Sequence, residues 1–261
     1  MDWGMKNRLG RIIQPDSGRV VMFAVDHGYF LGPTTGLEDF NATVDPLLPY
    51  ADCLMLTRGM LRNCVNPVGA PPIMLRMSGG NSILGELSDE GLTCSVEDAV
   101  RLGASGITLS IYVGGKGQHQ TLINLGKLID QGERYGLPVM AVTAVGKEMV
   151  RDVRYLGLCC RMAAEIGCHL VKTYYCEDFE QLVKATPVPV VIAGGKKIDE
   201  PDALKLAANA IRDGAAGVDM GRNIFQSENP VAMIKAVRAV VHENLDAEKA
   251  YQMYQDLAAS K

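Results

Sequence analysis

PVMAVTAVGKEMVRDVRYLGLCCRMAAEIGCHLVKTYY, residues 138–175, reads as strand, helix, strand. PVMAVTA (138–144) and HLVKTYY (169–175) are short, nearly continuous apolar runs, the pattern of strands covered on both faces in a parallel sheet. Between them, RDVRYLGLCCRMAAEIG (151–167) is amphipathic and stops at Gly167, as a left-handed helix cap prefers. The unit recurs in both directions. VVMFAV (20–25), ADCLMLT (51–57), PIMLRM (72–77) and GITLSIYV (106–113) lie upstream, and PVVIAGG (189–195) and GVDMG (217–221) downstream. SVEDAVRLG (95–103), QTLINLGKLIDQGERYG (120–136) and EPDALKLAANAIRDG (200–214) are further helices, ending at Gly103, Gly136 and Gly214. Eight such runs alternating with helices predict an α/β fold, a closed TIM (β/α)8 barrel forming a single domain over residues 1–261. The competing fold, an open doubly wound sheet, calls for fewer strands and an early glycine-rich turn, and no GxGxxG follows residues 20–25. NPVAMIKAVRAVVHEN (229–244) is the last barrel helix. DAEKAYQMYQDLAASK (246–261) is an extra C-terminal helix for packing or subunit contact.

The 261 residues are 48% hydrophobic and 21% charged, with a formal net charge of −4. Such a chain can build a large core, but it carries no basic footprint for nucleic acid and no polybasic stretch for a membrane. An anionic substrate must therefore be met by local cations. No run approaches about 18 apolar residues, and MDWGMKNRLGRI has no apolar core of signal-peptide length. The seven cysteines show no CxxC or CxxH spacing and read as reduced thiols of a soluble, cytoplasmic protein.

A parallel barrel places its chemistry at the C-terminal ends of the strands, so polar residues there are the candidates. Lys172 lies inside HLVKTYY, beside Tyr174. Burying an ammonium is costly unless it is paired or neutralised, and a neutralised amine is a nucleophile toward ketones. Either Lys172 is that nucleophile or it belongs to a buried lysine–aspartate pair without chemistry. Asp26, in FAVDHGYF, is placed to pair with the lysine and move protons, or to cap a helix; His27 relays protons or makes a structural hydrogen bond. AGGKK (193–197) and MGRNIFQ (220–226) follow the seventh and eighth strands, the two loops that build the usual barrel phosphate site. Gly194, Gly195 and Gly221 allow close approach of backbone amides to an anion, with Arg222 adding charge; plain tight turns are the alternative. Arg58, Arg76 and Lys147 also end strands, either as anion contacts or as rim ion pairs. The four histidines, His27, His119, His169 and His242, show no metal-ligand spacing, so a metal-independent route through lysine is expected.

Read together, DWGMKNRLGRI, VDHGYFLGPTTG, LTRGMLR, GNSILGELS, AVGKEMVRD, VKTYY, VIAGGKK and GVDMGRNIFQ resemble the class I, Schiff-base aldolase family over nearly the whole chain. That family includes deoxyribose-phosphate aldolase, archaeal-type fructose-bisphosphate aldolase and the 3-hydroxy-5-phosphonooxypentane-2,4-dione thiolases, and the motifs resemble the thiolase subgroup most. The resemblance implies Lys172 as the Schiff-base lysine, Asp26 as its acid/base partner, and phosphate binding at Gly194–Gly195 and Gly221–Arg222. It also implies a phosphorylated keto-sugar substrate, with Arg58, Lys147 and Tyr174 as candidate contacts. No cofactor is implied, coenzyme A being the co-substrate of the thiolase reaction, and the assembly expected is a homo-oligomer such as a decamer. Archaeal-type bisphosphate aldolases carry Tyr-Pro-Arg-Gly after the fifth strand, where Thr143-Ala144-Val145-Gly146 stands here. This departure favours the thiolase-like subgroup over fructose-bisphosphate cleavage. Two readings of other classes remain at this stage, an FMN-dependent barrel oxidoreductase and a non-catalytic phospho-sugar binder.

Overall fold

The structure is a computed structural model describing residues 1–144 and 150–260. Its strands are β1 (Val20–Ala24), β2 (Cys53–Thr57), β3 (Ile73–Arg76), β4 (Gly106–Ile111), β5 (Val139–Thr143), β6 (Leu170–Tyr174), β7 (Val190–Ala193) and β8 (Gly217–Met220). All run parallel, each beside its neighbour in sequence, and β8 closes on β1 with Val20 opposite Gly217 and Phe23 opposite Met220. The closing seam requires a glycine. Gly217 has φ +139, and a Cβ there would stand 2.0 Å from the carbonyl oxygen of Val20. Outside the barrel, Ser78–Gly79 pairs antiparallel with Gly91–Leu92.

Period-two alternation sorts each strand between two cores. Val20, Met22, Cys53, Met55, Met74, Met140, Leu170 and Val191 fill the barrel interior, with Ile12 of the helix Trp3–Ile12 among them. The other faces pack against the surrounding helices in one continuous apolar layer. Methionine, unbranched and deformable, suits the irregular volume inside a tapering barrel.

The helices begin where side chains satisfy their free amides. Asp152 accepts from the amide of Tyr155 at 2.8 Å, Asn229 from Ala232 at 3.1 Å and Asp246 from Lys249 at 2.9 Å, each worth about 1 kcal/mol. At the other ends Gly103, Gly136, Gly167 and Gly214 all have positive φ, as the sequence pattern predicts. The helix Ala247–Ala259 lies against Pro230–Glu243 and Glu200–Arg212, with Tyr254 buried. Among the described residues, no helix is long and apolar enough to cross a membrane. All seven cysteines are free thiols.

Candidate active site

The alternation that makes the lower interior apolar turns polar near the C-terminal rim. Lys172 has the same inward parity as Leu170, and its Nζ lies 2.9 Å from Oδ2 of Asp219 on β8 and 3.9 Å from Sδ of Met55 on β2. These three come from even-numbered strands, which share a layer in an eight-stranded barrel. Lys172 is 9% exposed and Asp219 1%. Burial raises the Asp219 carboxyl above its ordinary value, against the opposing charge of Lys172.

Asp26 does not make this contact. It stands two residues beyond β1, and its Oδ2 receives both Nε (2.9 Å) and Nη2 (2.8 Å) of Arg76, at the end of β3. The expected Asp26–Lys172 pair is thus replaced by two pairs, Lys172–Asp219 and Arg76–Asp26. The reason is the layering: Asp26 and Arg76 follow odd-numbered strands, Lys172 and Asp219 even-numbered ones. Burial works to raise Asp26, but Arg76 and then Lys172 overcome it and hold the carboxyl below its usual value. Arg76 also donates from Nη1 to Oγ of Ser110 at 2.8 Å and lies 4.9 Å over the Tyr29 ring. Arg76 is therefore an internal ion-pair partner and not a rim residue.

His27 precedes the short helix Gly28–Leu31 and makes no capping hydrogen bond. Its ring meets Phe225 edge-on at 5.6 Å, and its buried Nδ1 has no partner. Burial lowers its pKa to about 4, so the imidazole is neutral at ordinary pH. The backbone of Gly221 fits beneath it, since a Cβ there would stand 2.5 Å from Cε1 of His27 and 2.3 Å from the carbonyl oxygen of Ala24.

The loops after β7 and β8 are stapled by Asn223, fully buried. Its Nδ2 donates to the Gly194 carbonyl at 2.7 Å, and its Oδ1 accepts from the Ile198 amide at 2.9 Å. Gly195 takes φ +73. Arg222 opens the helix Arg222–Phe225 with its Nε buried and unpartnered, and burial lowers its pKa. Tyr174 stacks under Arg151, whose guanidinium carbon is 3.7 Å from the ring centre. Together these groups enclose a cavity of about 380 Å³. Lys172, Arg76, Arg151, Lys196 and Arg222 line it against the carboxylates Asp26 and Asp219. A chain with net charge −4 has here the local positive field that an anionic substrate needs. Among the described residues, no cluster of three or more His, Cys, Asp or Glu is placed to hold a metal ion.

The model of the DeoC/LacD family aldolases matches residues 20–227. The chain belongs to this family. It is similar to a 3-hydroxy-5-phosphonooxypentane-2,4-dione thiolase of Photorhabdus laumondii, at 55% identity over 97% of this chain and 88% of that protein. An enzyme of the same name from Escherichia coli K12 is 54% identical, again over 97% and 88%. Among solved structures, an archaeal fructose 1,6-bisphosphate aldolase superposes with a TM-score of 0.82 at 27% identity, over 92% of this chain and 99% of that one. An archaeal fructose-1,6-bisphosphate aldolase whose catalytic lysine is covalently bound to the carbinolamine intermediate of its substrate matches with TM-score 0.81 and 27% identity, over 91% and 99%. This family member is an enzyme of the class I, Schiff-base type, and fructose-bisphosphate aldolases are its more distant structural neighbours.

Of the sequence candidates, Lys172, Asp26, His27, Gly194, Gly195, Gly221, Arg222 and Tyr174 line the one cavity. Arg58 does not. It points to Asp98 at 3.1 Å, with its side chain 42% exposed, and lines a neighbouring cavity instead. Lys147 lies outside the described residues. Sequence reasoning missed Asp219, Asn223, Arg151 and Tyr29. Asp219 had a signal, because GVDMG puts a carboxylate inside an apolar strand as HLVKTYY does a lysine. Asn223 and Arg151 had none, since each acts by a contact between loops far apart in the chain.

Proposed function

We propose that this aldolase-family enzyme cleaves 3-hydroxy-5-phosphonooxypentane-2,4-dione through a Schiff base on Lys172, passing the acetyl group to coenzyme A and releasing dihydroxyacetone phosphate. The observation that carries the reading is the Lys172–Asp219 pair set in a small, cation-lined cavity. An isolated phospho-sugar binder has no reason to bury a nucleophile beside a proton acceptor.

The roles follow from the geometry. Asp219, its carboxyl raised by burial, accepts the proton that Lys172 must lose before attacking the ketone next to the phosphate-bearing carbon. Asp26, held ionised by Arg76, takes and returns protons while the carbinolamine loses water. The resulting iminium withdraws electrons. The thiol sulfur then bonds to the acetyl carbonyl carbon, and the bond from that carbon to its hydroxyl-bearing neighbour breaks. The electron pair moves into the iminium to form an enamine. Protonation of the enamine carbon and hydrolysis return the free amine and dihydroxyacetone phosphate. Gly194, Gly195, Gly221 and Arg222 receive the phosphate, Arg222 through its unpartnered Nε, which fixes the reacting carbon near Lys172. Neutral His27 hydrogen-bonds a substrate hydroxyl, and Tyr174 holds Arg151 toward the anion. Thr143 and Ala144 stand where bisphosphate aldolases of the archaeal type carry their tyrosine motif, which supports thiolysis over simple aldol cleavage. The reading includes a homo-oligomer in the reducing cytoplasm, with exposed Trp3, Val68 and Leu84 as candidate contacts.

Borohydride reduction in the presence of dihydroxyacetone phosphate, followed by peptide mass spectrometry, tests the Schiff base. An adduct on Lys172, absent from Lys172→Ala, is expected, and acetyl-coenzyme A should form from the dione. No adduct, or one on another lysine, would refute the assignment.

A further inference from the structure

A larger cavity, about 610 Å³, adjoins the one holding Lys172. The two meet at Asp26, Tyr29 and Arg76, which line both. Leu37, Phe40 and Met60 give the larger cavity apolar walls, and Arg58 is part of its lining. Arg58 belongs to a cluster in which Arg62 and Arg101 also converge on Asp98, with Arg62 at 2.6 Å. The three arginine side chains are 42%, 40% and 65% exposed. Glu97, in the same turn, reaches instead toward the Tyr135 hydroxyl at 3.4 Å. Three guanidiniums against one carboxylate leave surplus positive charge beside the cavity, in a chain of net charge −4.

We infer that this second cavity is the acceptor site, taking a long thiol whose phosphate-bearing end lies on Arg58, Arg62 and Arg101 and whose sulfur reaches the Asp26–Arg76 junction. The inference rests on the thiolase reading. A donor covalently attached to Lys172 and held by its phosphate occupies the smaller cavity, so the acceptor has to approach the acetyl carbon from another side. The shared Asp26–Arg76 wall is where the two cavities meet. There the thiol S–H proton passes to the Asp26 carboxylate as the S–C bond forms. The C–C bond breaks into the iminium, and Asp26 gives the proton to the enamine carbon. One thiol and one dione give one thioester and one ketone, with no net oxidation. Apolar walls suit the uncharged arm of such a thiol, and guanidiniums pair with phosphate through paired N–H donors.

Calorimetric titration with coenzyme A and with pantetheine, which lacks the phosphates, tests this without requiring turnover. Arg58→Ala/Arg62→Ala should weaken coenzyme A binding by about tenfold or more, equivalent to ~1.4 kcal/mol, and leave pantetheine binding unchanged. Gly59→Trp fills the cavity from a helical position where an added Cβ meets no atom within 4 Å, and should abolish binding of both thiols. Both variants should still trap dihydroxyacetone phosphate on Lys172. Equal binding of coenzyme A by wild type and the double variant, or no binding by a wild type that traps normally, overturns the inference. Failure of the wild type to trap would instead sink the Schiff-base reading, while the thiol titrations still decide whether the cavity takes an acceptor.

Discussion

Replacing Asp219 by asparagine removes the only carboxylate within ion-pair distance of Lys172 among the described residues, 2.9 Å from its Nζ and fully buried. An effective dielectric near 20 makes the lost attraction about 6 kcal/mol gross. The net loss has a lower ceiling, because a stranded ammonium can shed its proton. For an ordinary lysine titrating near ~10.4, doing so at pH 7 costs about 4.6 kcal/mol, from ~1.36 kcal/mol for each of ~3.4 pH units. At pH 9 the same arithmetic gives about 1.9 kcal/mol. Asp219→Asn should therefore lower stability by about 3–4.5 kcal/mol at pH 7, within the usual cost of orphaning a buried charge, and by no more than about 2 kcal/mol at pH 9. Chemical unfolding of wild type and variant at both pH values reads this directly. Adding Lys172→Met to Asp219→Asn should restore most of the loss, since the double variant strands no charge. A penalty independent of pH, or no rescue by the second substitution, would refute the idea that the two residues are a coupled buried pair.

At the opposite end of the barrel, Asp52 accepts hydrogen bonds from the Val21 amide (2.7 Å), Arg238 (2.7 Å) and His242 (2.8 Å). Burial pushes its carboxyl up, but the His242 and Arg238 bonds hold it below the ordinary value. Its stabilisation is full above the unfolded value of ~3.9 and is lost as pH falls through the lower folded value. Asp52→Asn leaves Arg238, about one-third exposed, without its carboxylate and should cost about 1.5–3 kcal/mol near neutrality, and thermal scans should show the gap to wild type closing only below about pH 4. Gly221→Ala forces a Cβ to within 2.3 Å of the Ala24 carbonyl oxygen; a loss of about 1–3 kcal/mol and a lower borohydride-trapping yield are expected, and unchanged melting with unchanged trapping would contradict the fit. His27, with its pKa lowered to about 4, does not change charge between about pH 5 and 8. His27→Gln should lower the rate without altering the shape of the pH–rate profile there, and loss of a limb in that interval would show that His27 titrates in catalysis.

The barrel was legible because its evidence is local. Period-two strands, amphipathic helices and the glycines that end them each depend on neighbours within a turn or two, and Gly103, Gly136, Gly167 and Gly214 all adopt the positive φ that their positions imply. Lys172 was legible for the same reason, as a charge inside an apolar run needs no knowledge of the rest of the chain. The short rim element Gly28–Leu31 was not, because it is a single turn with too few residues for a period to register.

Sequence by itself determined the eight-stranded architecture, the inward lysine and the two loops that flank the cation-lined cavity. Tertiary structure alone decided the partners. Asp26 and Asp219 are both acidic residues at the rim end of a strand, and nothing local distinguishes them as the counter-charge of Lys172. Closure of the barrel sets which strands share a layer, bringing β6 to β8 and leaving Asp26 to Arg76. The same closure carries Arg58 outward to Asp98 and joins the loops after β7 and β8 through Asn223. Side-chain direction along a strand is fixed by its own backbone, whereas contact across the interior depends on the stagger of strands that sequence separation does not encode.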